Sequence, residues 1–207
     1  MVYSVDVYDK VGEKVWKVKL NDSVFAVQAD PSLMQEYYLL QASNARLNIA
    51  DTKTRGEVSW SNKKIFKQKW TWNSRAWEDG SPTRRKWWVA FWPKNNRNFT
   101  KSMTKKAKKI ALNWILSFKA KEDWILCLKS FDYKEAKTKN ANVLLKKIWL
   151  DKLSTLVVMW KKDEIIEKSF RNLTNVKYLL VDYLNPYDLL KNDKIMFLED
   201  ALEKINK

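Results

Sequence analysis

Lysine and arginine are the side chains whose number and placement in this sequence point most directly to a chemistry. Residues 46–109 hold 18 of the 40 basic residues and only 4 of the 24 acidic ones, whereas residues 1–45 hold 4 basic and 6 acidic residues. Lysine neutralises phosphates as a point charge, and arginine binds them through parallel hydrogen bonds. A net charge of +16 gathered mostly in one internal third therefore predicts a polyanionic partner, either nucleic acid or an anionic membrane surface.

Residues that commonly carry out catalysis are scarce. The sequence has no histidine, the commonest general base and metal ligand, and its one cysteine is Cys127. A zinc cluster of cysteine and histidine is therefore excluded, and we expect Cys127 to be a core residue rather than a nucleophile. Carboxylates leave a metal-dependent enzyme acting on nucleic acid open as an alternative, but the adjacent acids Asp163 and Glu164 are favoured at a helix N-terminus. We predict no catalytic residue, no metal and no cofactor.

The membrane is the second alternative, because tryptophan paired with lysine is typical of interfacial segments. Against it, no apolar run approaches the ~18 residues that a spanning helix needs, and the N-terminus lacks the basic-then-apolar order of a signal peptide. A single cysteine is common in proteins of the reducing cytoplasm. The prediction is a cytoplasmic protein with no membrane partner and no small-molecule substrate.

The elements that must position the basic segment lie on either side of it. Alternating apolar residues predict a hairpin from residues 2–8 and 15–20, and Asp30-Pro31 begins a helix with an apolar stripe through Leu47. After the basic segment, Ser102 is the predicted cap of a helix with Ile110, Leu112, Ile115, Leu116 and Phe118 on its inner side. Further predicted strands cover residues 125–128, 153–159, 176–181 and 195–198. Further predicted helices cover residues 137–148, 163–170, 185–190 and 199–205.

Strands that alternate with helices predict an α/β fold: a mainly parallel, Rossmann-like sheet with flanking helices, interrupted by a long basic extended loop. We expect residues 1–49 and 102–207 to form one globular domain. Residues 50–101, which we call the basic arm, contain too few apolar residues to form a core of their own. Long loops without regular structure are usually functional.

Seven short segments together resemble the bacterial ribosomal protein L4 family. The segment T-K-T-R-G-E-V at residues 52–58 is similar to K-T-R-x-E-V of that family, and V-A-F-W-P-K at residues 89–94 is similar to G-G-V-x-F-G-P-K. The others lie at residues 20–25, 63–76, 137–139, 171–173 and 187–190. Their shared order covers essentially the whole chain, which makes the set far more specific than any one fragment. Ile65-Phe66 and Asn73 depart from the family pattern, and residues 77–86 form a shorter stretch than usual.

The resemblance implies a structural constituent of the large ribosomal subunit that binds 23S-type rRNA and aids its assembly. It also implies that the tip of the basic arm, near residues 69–75, lines the peptide exit tunnel, and that neighbouring large-subunit proteins are partners. Some members of the family also bind their own messenger RNA leader, which stays open as a further partner. The expected RNA contacts are Lys53, Arg55, Lys63, Lys64, Lys67, Gln68, Lys69, Arg75, Arg84, Arg85, Lys86, Lys94 and Arg97. Lys105, Lys106, Lys108 and Lys109 are either further contacts or the solvated face of a helix.

Tryptophan stands where the family has glycine. An ordinary chain of this length would hold about 14 glycines, but this one holds 3 glycines and 12 tryptophans. Trp60, Trp70, Trp72, Trp87, Trp88 and Trp92 occupy family glycine positions, and Trp16 and Trp149 lie where a turn or helix-end glycine is natural. The hypothesis is that the gene reads the UGA codon as glycine. The alternative is a genuinely tryptophan-rich protein whose indoles stack on RNA bases.

Overall fold

The computed structural model describes residues 3–28, 30–85, 90–133 and 135–206. The strands within these ranges are β1 Ser4–Tyr8, β2 Lys14–Lys19, β3 Ile125–Leu128, β4 Thr155–Met159, β5 Val176–Leu180 and β6 Lys194–Leu198. The helices are α1 Asp22–Phe25, α2 Pro31–Ala45, α3 Lys105–Lys121, α4 Thr138–Lys147, α5 Glu164–Phe170, α6 Pro186–Lys191 and α7 Glu199–Asn206, with a 3-10 turn at Val181–Tyr183.

The six strands form one sheet in the order β2-β1-β3-β6-β4-β5. Among the described strands, the β1–β2 hairpin alone is antiparallel, and the other pairings are parallel. Gly12 closes the hairpin at φ +84, and a Cβ there would lie 2.8 Å from Cβ of Lys147, so glycine is required on both counts. This sheet confirms the predicted α/β class with mainly parallel strands.

Helices cover both faces of the sheet. Successive side chains of a strand point to opposite faces, so a buried strand contributes to the core on each side. Leu156 and Val158 of β4 join the core beneath α3, α6 and α7, whereas Val157 and Met159 join the core beneath α4 and α5. All five residues of β4 are buried. Cys127 of β3 is fully buried in the first of these cores, as predicted.

The predicted cap and inner face of α3 are partly wrong. Thr104, not Ser102, caps the helix: its hydroxyl accepts the amide hydrogen of Ala107 at 3.4 Å, the spacing that an N-cap requires. Ile110 and Phe118 are 46% and 39% exposed. The predicted Ile115 and Leu116 are buried, and Leu112 is partly buried against the same core. The other buried residues of α3 are Ala111, Ser117, Lys119 and Ala120, because helix periodicity turns Ile110 and Phe118 away from the sheet.

The helix before the basic arm is shorter than predicted. Asp30 and Pro31 begin α2 as expected, and the Asp30 carboxylate accepts the amide hydrogen of Ser32 at 3.0 Å. The helix ends at Ala45, however, so Leu47 is 77% exposed and does not continue an apolar stripe. Short α1 has no counterpart among the predicted elements; the Asn21 side chain caps it by accepting from the Ser23 amide.

The chain divides into two compact units, Met1–Ser43 with Lys101–Lys207, and Asn44–Thr100. We call these the larger and the smaller unit. Within the described part of residues 46–104, no helix or strand forms.

Candidate nucleic-acid interface

Side-chain hydrogen bonds join the two ends of the smaller unit. The Asn48 amide donates to the Arg97 carbonyl oxygen at 2.7 Å, and the Thr52 hydroxyl donates to the Pro93 carbonyl oxygen at 3.2 Å. These bonds replace the ladder hydrogen bonds that regular secondary structure would supply. They therefore place the two chain segments side by side without a hydrophobic core.

Aromatic rings hold several of its arginines. The guanidinium groups of Arg46 and Arg97 lie 4.3 and 5.0 Å from the ring centre of Phe99, and that of Arg84 lies 5.4 Å from Phe66. Cation–π contacts of this kind orient a guanidinium without neutralising its charge. The arginines so held remain able to bind an anion.

Three of the predicted RNA-binding residues form ion pairs with carboxylates of the smaller unit. These pairs are Arg55 with Glu78 at 2.9 Å, Lys94 with Glu57 at 3.0 Å, and Arg85 with Asp79. Glu57 also accepts the Thr54 amide hydrogen, and this bond, followed by that of Lys94, lowers the pKa of its carboxyl to about 2. Glu57 therefore stays ionised at neutral pH.

Three predicted arginines line one polar cleft. Arg55, Arg75 and Arg84 surround a cavity of about 630 Å³ together with Glu78 and the Thr83 hydroxyl. Arg55 shares its charge with Glu78, while Arg75 has no carboxylate within ion-pair distance in the described ranges. The arrangement presents an excess of positive charge and several hydrogen-bond donors to one small volume, which is what a phosphate requires.

The remaining predicted contacts are mostly isolated at the surface. Lys64 contacts Gln68 at 2.7 Å and lies 4.5 Å from the Trp77 ring centre. Lys53, Lys63, Lys67 and Lys69 are exposed and, among the described residues, have no carboxylate within 4.0 Å. Lys86 lies outside the described residues, as do Trp87 and Trp88. The structure thus brings together the cleft arginines but leaves these lysines apart.

A second group of cations begins α3 in the larger unit. Lys105, Lys106, Lys108 and Lys109 lie in its first turns, and its first turn contains no acidic residue. The positive end of the helix dipole disfavours cations there by about 0.3–1 kcal/mol each. The isolated helix is therefore less stable with these lysines, and a role for them as RNA contacts stays a prediction.

Comparison with known proteins identifies the family. The profile of the "Ribosomal protein L4/L1 family" matches residues 18–207. Three similar proteins are named "Large ribosomal subunit protein uL4". The one from Caldicellulosiruptor bescii is 35% identical to this chain, and the one from Symbiobacterium thermophilum is 36% identical; each match covers 98% of this chain and 97% of the relative. The one from Aquifex pyrophilus is 38% identical over 94% of this chain and 98% of the relative. The chain belongs to the ribosomal protein L4/L1 family. Because this family consists of structural proteins without enzymatic activity, the prediction of a non-enzymatic protein is confirmed.

Three further observations on this L4/L1 family member concern its cysteine, its metal-ligating side chains and its helices. Burial raises the pKa of the Cys127 thiol to about 12, so the residue is inert at neutral pH. Across the described ranges, no three acidic, cysteine or histidine side chains gather as a metal site would require. No described helix is long and apolar enough to cross a membrane.

Sequence reasoning missed the residues that organise the cations. Arg46 was not among the predicted contacts, although it shares Phe99 with Arg97. The close spacing of Arg97 and Phe99 was an available local signal. No local sequence signal indicated the ion pair between Arg55 and Glu78, because the two residues lie 23 positions apart and meet only through the fold of the smaller unit.

Proposed function

We propose that this protein is a structural constituent of the large ribosomal subunit, located in the cytoplasm, where the basic arm binds 23S-type rRNA and aids its assembly. The observation that carries the proposal is the smaller unit itself: it holds 13 Lys and Arg residues against 4 acids and has no regular secondary structure in its described part. The membership of the L4/L1 family and the names of its relatives support this role.

The binding mechanism follows from the chemistry of these side chains. Lys53, Lys63, Lys67 and Lys69 neutralise phosphates and release counterions, which gives an affinity that depends on salt and hardly on sequence. Gln68, Lys64, Arg85, Lys86, Lys94 and Arg97 are the further proposed contacts along the arm. The arm takes its final conformation on the RNA, since it has little apolar surface to bury alone. Its tip, residues 69–75, lines the peptide exit tunnel.

The cleft arginines have a more specific role. Arg55, Arg75 and Arg84 converge on one volume, so a single phosphate or a sharp turn of the RNA backbone can contact more than one guanidinium. On binding, Glu78 gives up part of its interaction with Arg55 to the incoming phosphate. These residues fix the register of the arm on the RNA, whereas the isolated lysines add affinity.

The proposal is tested by the salt dependence of binding. The full chain and the variant with Arg55→Ala, Arg75→Ala and Arg84→Ala are titrated with a 23S-type rRNA transcript between low and moderate salt. Loss of three phosphate contacts is expected to lower the slope of log affinity against log salt by about 2 to 3. The control variant, Lys10→Ala with Lys19→Ala and Lys152→Ala, loses the same charge from exposed positions of the larger unit. Equal losses in both variants would contradict an arm-centred interface.

We further infer that the tryptophans are glycines in the natural protein, encoded by UGA. Five non-glycine residues in the described ranges have a left-handed backbone, and three of them are Trp70 at φ 69, Trp72 at φ 54 and Trp149 at φ 64. Glycine adopts this conformation without strain, whereas a residue with a Cβ rarely does. Glycines at Trp70 and Trp72 would let the arm backbone turn sharply and approach RNA closely.

Two measurements decide between glycine and a tryptophan-rich arm that stacks on bases. The nucleotide sequence of the gene is expected to show UGA at the tryptophan positions, and peptide mass spectrometry of the natural protein is expected to show glycine there. Twelve UGG codons would end the glycine hypothesis and favour base stacking.

A further inference from the structure

Phe91 is an exposed aromatic residue in a backbone conformation that side chains seldom adopt. Its side chain is 104% exposed, and its φ of 59 lies in the left-handed region that suits glycine. Glycine in the natural protein would account for Trp70, Trp72 and Trp149, which share this conformation, but Phe91 is not among the inferred glycines. A strained and fully exposed apolar side chain does not stabilise the free protein. Backbone outliers of this kind cluster at binding sites.

Phe91 lines an open cavity of about 590 Å³ within the smaller unit, which we call the apolar pocket. The other apolar residues of its described lining are Pro82, Ala90 and Trp92. With glycine at position 92, the Phe91 ring, Pro82 and Ala90 would remain as the apolar wall. The volume lies within the range of sites that bind small ligands.

The charged side chains of the apolar pocket are basic. Arg55 and Lys94 line it, and its described lining contains no acid. Each of the two cations has a carboxylate partner, Glu78 and Glu57, but the smaller unit as a whole holds 13 Lys and Arg residues against 4 acids. An occupant that combines an apolar surface with negative charge close by therefore fits this pocket best.

Arg55 joins the apolar pocket to the polar cleft described above. It lines both cavities, and Pro82 of the pocket lies between Ser81 and Thr83 of the cleft in the chain. The cleft is the proposed phosphate site, so an aromatic, apolar site adjoins a site for phosphate. Bases of RNA that leave the helix stack on aromatic side chains, and a phosphate accompanies every base. The two adjoining cavities therefore match the two chemically different parts of a nucleotide.

We propose that the apolar pocket binds one unstacked base of rRNA against the Phe91 ring, while a neighbouring phosphate of the same strand occupies the cleft beyond Arg55. The inference rests on the proposed function, because it assumes that the basic arm meets rRNA. It goes further by requiring a single-stranded or bulged nucleotide at this point, since a base inside a helix cannot present its face. Every base has such a face, so the local shape of the RNA selects the site more than its sequence does.

Substitution of Phe91 in the full chain tests this inference through the affinity for a 23S-type rRNA transcript. Phe91→Ala is expected to weaken binding by roughly 5- to 150-fold, the range for loss of one base–aromatic stack. The slope of log affinity against log salt should stay the same, because no phosphate contact is lost. The exposed ring takes no packing with it and alanine keeps the Cβ, so the circular dichroism of the free protein should not change.

Three further variants separate stacking from simple apolar contact. Phe91→Tyr keeps the aromatic face and should retain the affinity of the original chain. Phe91→Leu keeps an apolar side chain without that face and should bind nearly as weakly as Phe91→Ala. Ile49→Ala removes an apolar side chain that is 83% exposed in the same unit but lies outside the pocket, and it should leave the affinity unchanged. Full affinity of Phe91→Leu, or an equal loss with Ile49→Ala, would overturn base stacking at Phe91.

Crosslinking in assembled subunits identifies the occupant directly. A photoreactive phenylalanine derivative replaces Phe91 in the tagged full-length chain expressed in the source bacterium, and purified large subunits are irradiated. The expected product joins position 91 to a nucleotide in an unpaired region of rRNA. A crosslink to a protein or to base-paired rRNA, or no crosslink at all, contradicts the inference.

The outcomes distinguish this inference from the proposed function. If Phe91→Ala and the variant lacking Arg55, Arg75 and Arg84 both bind rRNA as the original chain does, the proposed function fails together with the base site. If the arginine variant lowers the salt slope but Phe91→Ala keeps full affinity, only the base site is overturned.

Discussion

Replacing Trp149 by glycine should stabilise this protein, although it removes the largest of all side chains. Trp149 follows α4 and ends it in a Schellman motif: its amide donates to the Lys146 carbonyl oxygen at 3.2 Å, and the Leu150 amide donates to the Leu145 carbonyl oxygen at 2.8 Å. This motif requires a left-handed residue at Trp149, whose φ is 64. The side chain is 84% exposed, so it contributes little buried area.

The magnitude follows from two opposing effects. A left-handed conformation is less favourable by about 1–2 kcal/mol for a residue with a Cβ, and glycine relieves this. Glycine also gains conformational freedom in the unfolded chain, which lowers stability by about 0.5–1 kcal/mol. The net expectation for Trp149→Gly is a gain of about 0.5–1 kcal/mol in the free energy of unfolding, equivalent to about 2 °C in Tm for a chain of this size.

Thermal and urea unfolding of the full chain, followed by circular dichroism, measures the effect. Trp149→Ala removes the indole but keeps the Cβ, so it should give no comparable gain. Trp160→Gly is a second control, because Trp160 is also an exposed tryptophan of the larger unit but is not left-handed; it should lower stability slightly. If Trp149→Gly destabilises the protein as Trp160→Gly does, relief of backbone strain at the end of α4 does not outweigh the entropy that glycine adds to the unfolded chain, and the reasoning is refuted.

Three further expectations concern the charged residues and the basic arm. The Glu57 carboxyl should titrate by NMR near pH 2 rather than at its usual 4.5, because the Thr54 amide and then Lys94 stabilise its ionised form. Its folded-state pKa is lowered, so the stability from these contacts is present above the usual pKa and is lost as the pH falls toward 2. A midpoint near 4.5 would show that these contacts do not form in solution. Replacing Lys105 and Lys106 with glutamate should raise the stability of the larger unit by about 1 kcal/mol while weakening rRNA binding; unchanged RNA affinity would exclude these lysines from the interface. Limited proteolysis of the free protein should cut within residues 50–101 and spare the flanks, with rRNA suppressing the cleavage; complete resistance without RNA would contradict an arm that orders on RNA.

Local sequence patterns predicted the strands and helices well, but they did not predict which strands lie next to each other in the sheet. The continuous apolar run of β4 indicates a strand buried on both faces, and the alternation in β1 indicates a strand buried on one face. Both patterns can be recognised in the sequence. The insertion of β6 between β3 and β4 is not readable, because parallel neighbours depend on how crossover helices pack. Short α1 was also missed, since four residues cannot show a helical period.

The sequence predicts where positive charge is concentrated, but it does not predict how the basic side chains of the candidate interface are arranged in space. Lysines and arginines of the basic arm indicate a polyanion wherever they lie, so the segment could be recognised without its conformation. Which arginines converge depends on contacts between distant residues, such as Arg55 with Glu78 and Arg84 with Phe66. No periodicity encodes these contacts, because the described part of the smaller unit lacks regular elements.

The positions of the lysines and arginines lower the stability of the isolated chain, and we infer that they favour binding to an anionic partner. Four lysines in the first turns of α3 oppose the helix dipole, although Thr104 caps the same helix in the favourable way. The smaller unit gathers cations that repel one another, and its described part contributes no residue to an apolar core that could offset that repulsion. Both features destabilise the isolated chain, and the proposed contacts with rRNA phosphates would offset that loss of stability.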